Sequence, residues 1–397
     1  MLALRLARGA HPLVQLRRLL VAAASAGTGF LLLCTLGYAM GHPEAAADAV
    51  LRLVWCLVPL AATVYFAVAV ARSDPGTKPR PGLSAVGLGP ARLTLLAAIS
   101  TAVACTLGSM LALLFFLHLR GDLSGLPFDG AARELLAADE PLPLAAALTL
   151  LTLVPLTASA ASALTLRPRT ARQGARQSDA AAQDPAQEDQ PAAAPTGLPW
   201  GVALLAAGLA VETYASHAPG PSGLPMPGGL GGSPSGVLAG WALTAFGLAL
   251  AGPGLTYQCG RALQAVRPGA VRLLAGRVLQ EEARRIGRPL GVVCAVASGA
   301  YAASVLYERG GKAAPDLGPL STLGAILVVG CAVATLVTAV IEARQARRHT
   351  TSALLRLGAP ASMLRGAAAL RAGALLAVFG PLTWAVAELS AIPLAGR

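Results

Sequence analysis

The sequence predicts an all-α polytopic integral membrane protein: about nine transmembrane helices in two parallel repeats joined by a helix pair. Three observations carry this reading. Hydrophobic residues make up 55% of 397 positions and charged residues 13%, whereas a soluble domain has about 25% charged residues. The apolar residues collect in runs of about twenty, the length at which a helix crosses hydrocarbon with every backbone group satisfied internally. The connectors between the runs alternate in charge, arginine-rich then acidic, which is the signature of helices threading back and forth under the positive-inside rule.

The runs are residues 19–40, 53–71, 93–117, 144–166, 198–211, 237–257, 289–307, 317–341 and 372–387. The first follows a segment with Arg5, Arg8, Arg17 and Arg18 and no acid. It exceeds the roughly 7–15 residues of a signal-peptide core, so it reads as a retained span with a cytoplasmic N-terminus. The fifth run is short and ends at Glu212, and the last contains Gly380-Pro381, a candidate kink. Residues 118–143 hold Asp122, Asp129, Glu134, Asp139 and Glu140 and read as a solvated external loop, with His118 at its membrane edge. Residues 167–197 are polar and rich in Ala, Gln, Asp and Pro, a composition that cannot bury enough apolar surface to fold. Residues 215–235 are mostly Gly, Pro and Ser and read as an irregular external loop.

These features divide the chain into four parts. Residues 1–166 form a first membrane repeat of four spans, 167–197 a disordered cytoplasmic linker, 198–260 a connecting helix pair, and 261–397 a second repeat of three spans. Each repeat opens on a basic amphipathic stretch and continues with span, short turn, span, basic connector and span. Arg5 and Arg277, and Gly87 and Gly358, recur at nearly the same offset. Parallel repeats of this kind are a common plan for transporters.

The net charge of +12 does not indicate nucleic acid, because most of the basic residues fall in connectors on one side of the spans and the acids lean to the other. The six cysteines, Cys34, Cys56, Cys105, Cys259, Cys294 and Cys331, form no C-x-x-C pair. They read as small packing residues, with neither a disulfide framework nor a metal site. No charged residue falls inside the nine runs, which argues against a proton- or sodium-coupled carrier, an intramembrane protease or a metal enzyme. A phosphate loop is missing as well: Gly311-Lys312 lacks the upstream glycine and the hydroxyl. No acyl-transfer nucleophile elbow stands in a fitting context. The expectation is a non-enzymatic membrane protein without a cofactor.

The most informative segments are the two basic connectors. One, residues 342–371, carries Arg344, Arg347, Arg348, Arg356, Arg365 and Arg371 against Glu342 alone. The other holds Arg72, Lys78, Arg80 and Arg92. Their cores place Leu83, Gly87 and Leu93 at the spacing of Leu354, Gly358 and Leu364. A basic helix with Leu354, Leu357 and Leu364 as apolar anchors could dock into a groove of a soluble partner. Alternatively, its arginines could do no more than set topology and hold anionic lipid headgroups. Gly358 could permit close approach, or break the helix before Pro360.

At these connectors the chain resembles the FtsX-like permease family of ABC transporters, the MacB-type superfamily. That family carries an L-R-x-L-G-A-type signature after basic residues, and Arg347-Arg348 followed by Leu354-Leu355-Arg356-Leu357-Gly358-Ala359 matches it. The segment from Leu83 to Leu88 matches more loosely. The resemblance implies a permease subunit that couples ATP hydrolysis on a separate ABC ATPase to export or extraction of an amphiphilic substrate. It implies a multi-pass protein of the cell membrane, in the lipid bilayer, with a homodimer as one assembly open to it. Leu83, Gly87, Arg92, Leu354, Arg356, Leu357, Gly358, Leu364 and Arg365 would be the ATPase-coupling residues. The chain departs from the family in lacking large extracytoplasmic domains and in having three spans, not four, in its second repeat. These departures keep open a second reading, a non-transporting scaffold or regulatory protein on a degenerate permease fold.

The charge asymmetry places residues 167–197 and 118–143 on opposite faces of the membrane. An Ala180→Cys variant in intact cells should resist a membrane-impermeant thiol reagent that labels Leu135→Cys; labelling of position 180 from outside would overturn this topology.

Overall fold

The computed structural model describes residues 12–74, 90–123, 130–167, 194–217, 235–265, 269–309 and 318–395. Among these the regular structure is all helical, without a strand. In order the helices are α1 (Pro12–Gly41), α2 (Ala46–Trp55), α3 (Leu57–Ser73), α4 (Pro90–Arg120), α5 (Leu144–Leu166), α6 (Leu198–His217), α7 (Ser235–Ala265), α8 (Ala270–Arg309), α9 (Pro319–Ala346), α10 (Arg348–Arg356) and α11 (Ala361–Ala395). Proline opens α1, α4 and α9, where its missing N–H has no intrahelical partner to lose.

Nine helices among the described residues are long and apolar enough to cross a membrane, with α2 and α3 together making one of them. Their outward faces are apolar too. Leu95, Leu96, Ile99, Val103, Leu107 and Met110 stand exposed along α4, and Ile326, Val329, Val333 and Val337 along α9. Apolar stripes of this length are unsuited to water and suited to lipid. The chain is a polytopic membrane protein.

The helices group into two compact units. The first comprises Met1–Asp184 with Pro319–Thr335, the second Pro185–Gly318 with Leu336–Arg397. This is not the division expected from composition. The helix pair α6–α7 does not stand apart as a connection but packs with α8 and α11, and α9 contributes to both units. Within the units, α1 packs against α4 and α8 against α11. The polar segments 167–197 and 215–235 lie largely outside the described residues.

In the first unit α1 is central. Gly108 lets α4 approach so closely that a Cβ there would collide with the Ala22 carbonyl. Hydroxyls tie the neighbouring helices: Ser25 donates to the Cys105 carbonyl at 2.8 Å, Ser109 to the Leu151 carbonyl at 3.1 Å, and Thr28 and Thr63 share a hydrogen bond of 2.9 Å. Leu33, Phe116, Leu136 and Ala147 close the core at one end. Leu136 comes from the segment expected to be a solvated loop. Part of that segment is instead folded onto the helix ends: Leu136 lies beneath Gly37, and the buried Arg120 (3% exposed) donates to the Glu140 carbonyl and pairs with Asp122 at 3.3 Å. A carbonyl and a carboxylate close to a guanidinium offset its burial, and this holds the segment in place.

The second unit is built on a seam of small residues. Gly201 of α6 faces Ala251 of α7, Gly208 faces Thr244, and Leu205 faces Gly247. On its other side α7 sets Gly252 against Gly287 of α8, Leu248 against Gly291, and Gly260 against Gly276. Each pair places a small residue opposite backbone, so the helices touch main chain to main chain, as membrane helices do. Leu279, Ala275, Leu263, Cys259 and Ala367 fill the core between α7, α8 and α11. All six cysteines are buried, as expected of packing residues.

A side chain at the seam must push two backbones apart, and overpacking commonly costs about 1–3 kcal/mol. Gly252→Leu should therefore lower the thermal unfolding midpoint of the purified protein in detergent well below that of Gly373→Leu, whose site has open space around it. Equal midpoints would show that the seam does not determine stability.

Candidate functional site: the C-terminal connector

The connector at 342–371 is three pieces, not one helix. α9 runs to Ala346, α10 covers only Arg348–Arg356, and α11 starts at Ala361. The stop after α10 is chemically specified. Gly358 adopts φ +88°, its N–H bonds to the Leu355 carbonyl at 3.1 Å, and the Ala359 N–H bonds to the Leu354 carbonyl at 3.0 Å. This is a Schellman stop, which needs a residue tolerant of the left-handed region. Pro360 follows and cannot continue the helix. Of the two roles open to Gly358, helix breaking is the one observed; open space surrounds it.

This break corrects the expected arrangement of anchors. Leu354 is half-buried on α10, Leu357 lies at the cap with 84% of its surface exposed, and Leu364 is half-buried on α11. They do not line one helical face. The apolar surface at the turn is instead made by Leu357 and the exposed Leu355, with Arg356 and Arg365 exposed beside it in sequence. In the N-terminal connector, Leu83 and Gly87 lie outside the described residues, while Arg92 is exposed on the first turn of α4. The pairing of the two connectors therefore rests on the sequence.

The root of the connector is fixed by an ion pair that sequence reasoning missed. Arg347 Nε forms an ion pair with Glu282 Oε1 on α8 at 2.7 Å, while its N–H donates to the Ala343 carbonyl at 3.3 Å. Glu282 is buried and Arg347 partly so, and Arg285 adds further positive charge near the carboxylate. The available signal was Glu281-Glu282, two acids inside the otherwise arginine-rich stretch 272–288. The ion pair ties the α9–α10 corner to α8, and the core of Ala367 and Leu279 joins α8 to α11.

A second correction concerns charge inside the spans. The fifth run was expected to end before Glu212, but α6 continues to His217 and Glu212 has 0% exposure. The argument against ion coupling drawn from uncharged spans therefore fails.

Comparisons with protein-family models, with curated proteins and with solved structures found no match to this chain.

If the ion pair fixes the connector, Glu282→Gln and Arg347→Gln should each destabilise the second unit, and the double variant should lose less than their sum. The double-mutant cycle should give a coupling of about 0.5–3 kcal/mol, measured by unfolding in mixed detergent. Additive losses would show that the pair is incidental.

Proposed function

We propose that the chain is the membrane permease subunit of an ABC transporter, driven by a separate ATPase chain and moving an amphiphilic substrate out of or across the cell membrane. The observation that carries this reading is the C-terminal connector. It presents an exposed apolar turn at Leu355–Leu357 within an arginine-rich segment, while its root is tied to α8 through Arg347 and Glu282. A partner that captured the turn could transmit force to α11 through the Gly358 stop and to α8 through the ion pair. The positive-inside rule puts this connector and the N-terminus in the cytoplasm, where an ATPase would be. The sequence holds no phosphate loop, so the nucleotide would be hydrolysed on the partner. Leu357 and Leu355 would insert into the partner's groove, with Arg356 and Arg365 at the rim, and Leu354 and Leu364 would support the turn from behind.

Central apolar anchors at interfaces cost about 2 kcal/mol or more when removed, and rim charges cost less. A photoreactive residue at position 357 should crosslink to an ABC ATPase identified by its own peptides. Leu357→Asp should abolish co-purification with that ATPase at matched membrane expression, whereas Arg344→Ala should weaken it only slightly. Retention of the ATPase by Leu357→Asp would exclude this turn as the coupling site, and a stronger effect of Arg344→Ala would favour simple headgroup binding.

A further inference from the structure

We propose that Glu212 is a proton-binding site within the membrane, loaded and unloaded from the face nearest His217. The carboxylate lies inside a helix long and apolar enough to span the bilayer, and it is fully buried. Its Oε1 accepts a hydrogen bond from the Thr244 hydroxyl of α7 at 3.0 Å. The Ser390 hydroxyl of α11 lies beside the carboxylate, while Oε2 makes no hydrogen bond with protein. Three helices thus converge on one carboxylate, and two of them bring a hydroxyl to it.

The geometry selects the proton among possible cations. Gly240 of α7 faces Glu212 so closely that a Cβ there would lie 2.5 Å from Glu212 Cγ, and a Cβ on Gly208 would collide with Thr244 Oγ1. Backbone therefore lies close against one side of the Glu212 side chain. A hard cation such as calcium takes about six to eight oxygen ligands, and here one carboxylate and two hydroxyls converge. A proton needs one oxygen to hold it and one to accept its hydrogen bond, which Oε2 and Ser390 Oγ supply. Protonation removes the charge from a region where charge is costly, and deprotonation leaves a carboxylate that both hydroxyls can solvate.

Among the described residues no other ionisable group competes at the site. α7 and α11 pack against α6. On α7, Tyr257, Cys259 and Arg261 lie roughly 20 Å or more along the helix from Thr244 at 1.5 Å per residue. On α11, Glu388 accepts the Tyr301 hydroxyl of α8 at 2.9 Å, and Arg365 and Arg371 lie roughly 28 Å or more from Ser390. On α6 itself Tyr214 is exposed and the His217 ring is bonded to the Thr213 carbonyl. His217, the last described residue of α6, lies only roughly 8 Å along the helix from Glu212, a distance over which a short file of transient waters could carry the proton. The site stands whether or not an ATPase binds the connector.

The test uses the full chain in lipid nanodiscs. Dicyclohexylcarbodiimide, an apolar reagent, adds to a protonated carboxyl group without loss of atoms, so mass spectrometry finds its whole mass on the modified peptide. Glu212 should acquire the adduct at acid pH and lose reactivity as pH rises, while Glu212→Gln, which keeps the side chain's shape, gives no adduct on that peptide. An infrared carboxyl band that disappears at alkaline pH in the parent protein and is missing from Glu212→Gln would report the same proton. No adduct at Glu212 at any pH, while the Glu388 peptide reacts, would overturn the proposal. An adduct of constant yield at all pH values would overturn it too, because the carboxyl would then be a fixed structural group.

Discussion

Helices in a bilayer are not pressed together by water, because lipid tails are as apolar as the side chains that meet them. Association must come from close contact and from hydrogen bonds between helices, and much of this fold follows from that constraint. It accounts for the glycines of α6, α7 and α8, set opposite backbone or small side chains. It accounts for the hydroxyls of Ser25, Thr28, Thr63 and Ser109, which reach across to neighbouring helices. It also accounts for the large side chains left on the outside, where bulk costs nothing. Glu212 fits the same pattern: Gly240 brings two backbones close enough to enclose a carboxylate, and Thr244 supplies the hydrogen bond that makes enclosure tolerable.

The architecture was legible because hydropathy and length are one-dimensional properties. A run of twenty apolar residues spans a membrane regardless of its neighbours, so the nine segments and the all-helical fold could be read directly. What was not legible depends on which residues meet. Glu212 looked like the end of a short span, because nothing in the sequence shows that α7 and α11 bring hydroxyls to cover it. Leu136 looked like part of an acidic loop, because its burial depends on the distant Gly37 and Phe116. The partition of α6 and α7 followed the same logic. Composition separates them from the second repeat, whereas the seam facing α8 binds them to it.

The connector was legible in part. Glycine before alanine and proline indicates a helix stop, and the stop is there. A leucine pattern continued through that glycine suggested one amphipathic face, but a left-handed residue turns the chain and ends the periodicity. The root of the connector was hidden for another reason. The partner of Arg347 lies on a different helix, and arginines in such a segment all look alike until one of them finds an acid.

The six cysteines are all buried in apolar packing, which has a practical consequence. Polar thiol reagents and dissolved oxidants act on side chains they can reach, and in the folded protein none of these thiols is presented to them. The native chain therefore behaves toward such chemistry as though it had no cysteine. A reporter thiol placed on any exposed surface would be read against a silent background, without rebuilding the helix contacts in which the natural six take part.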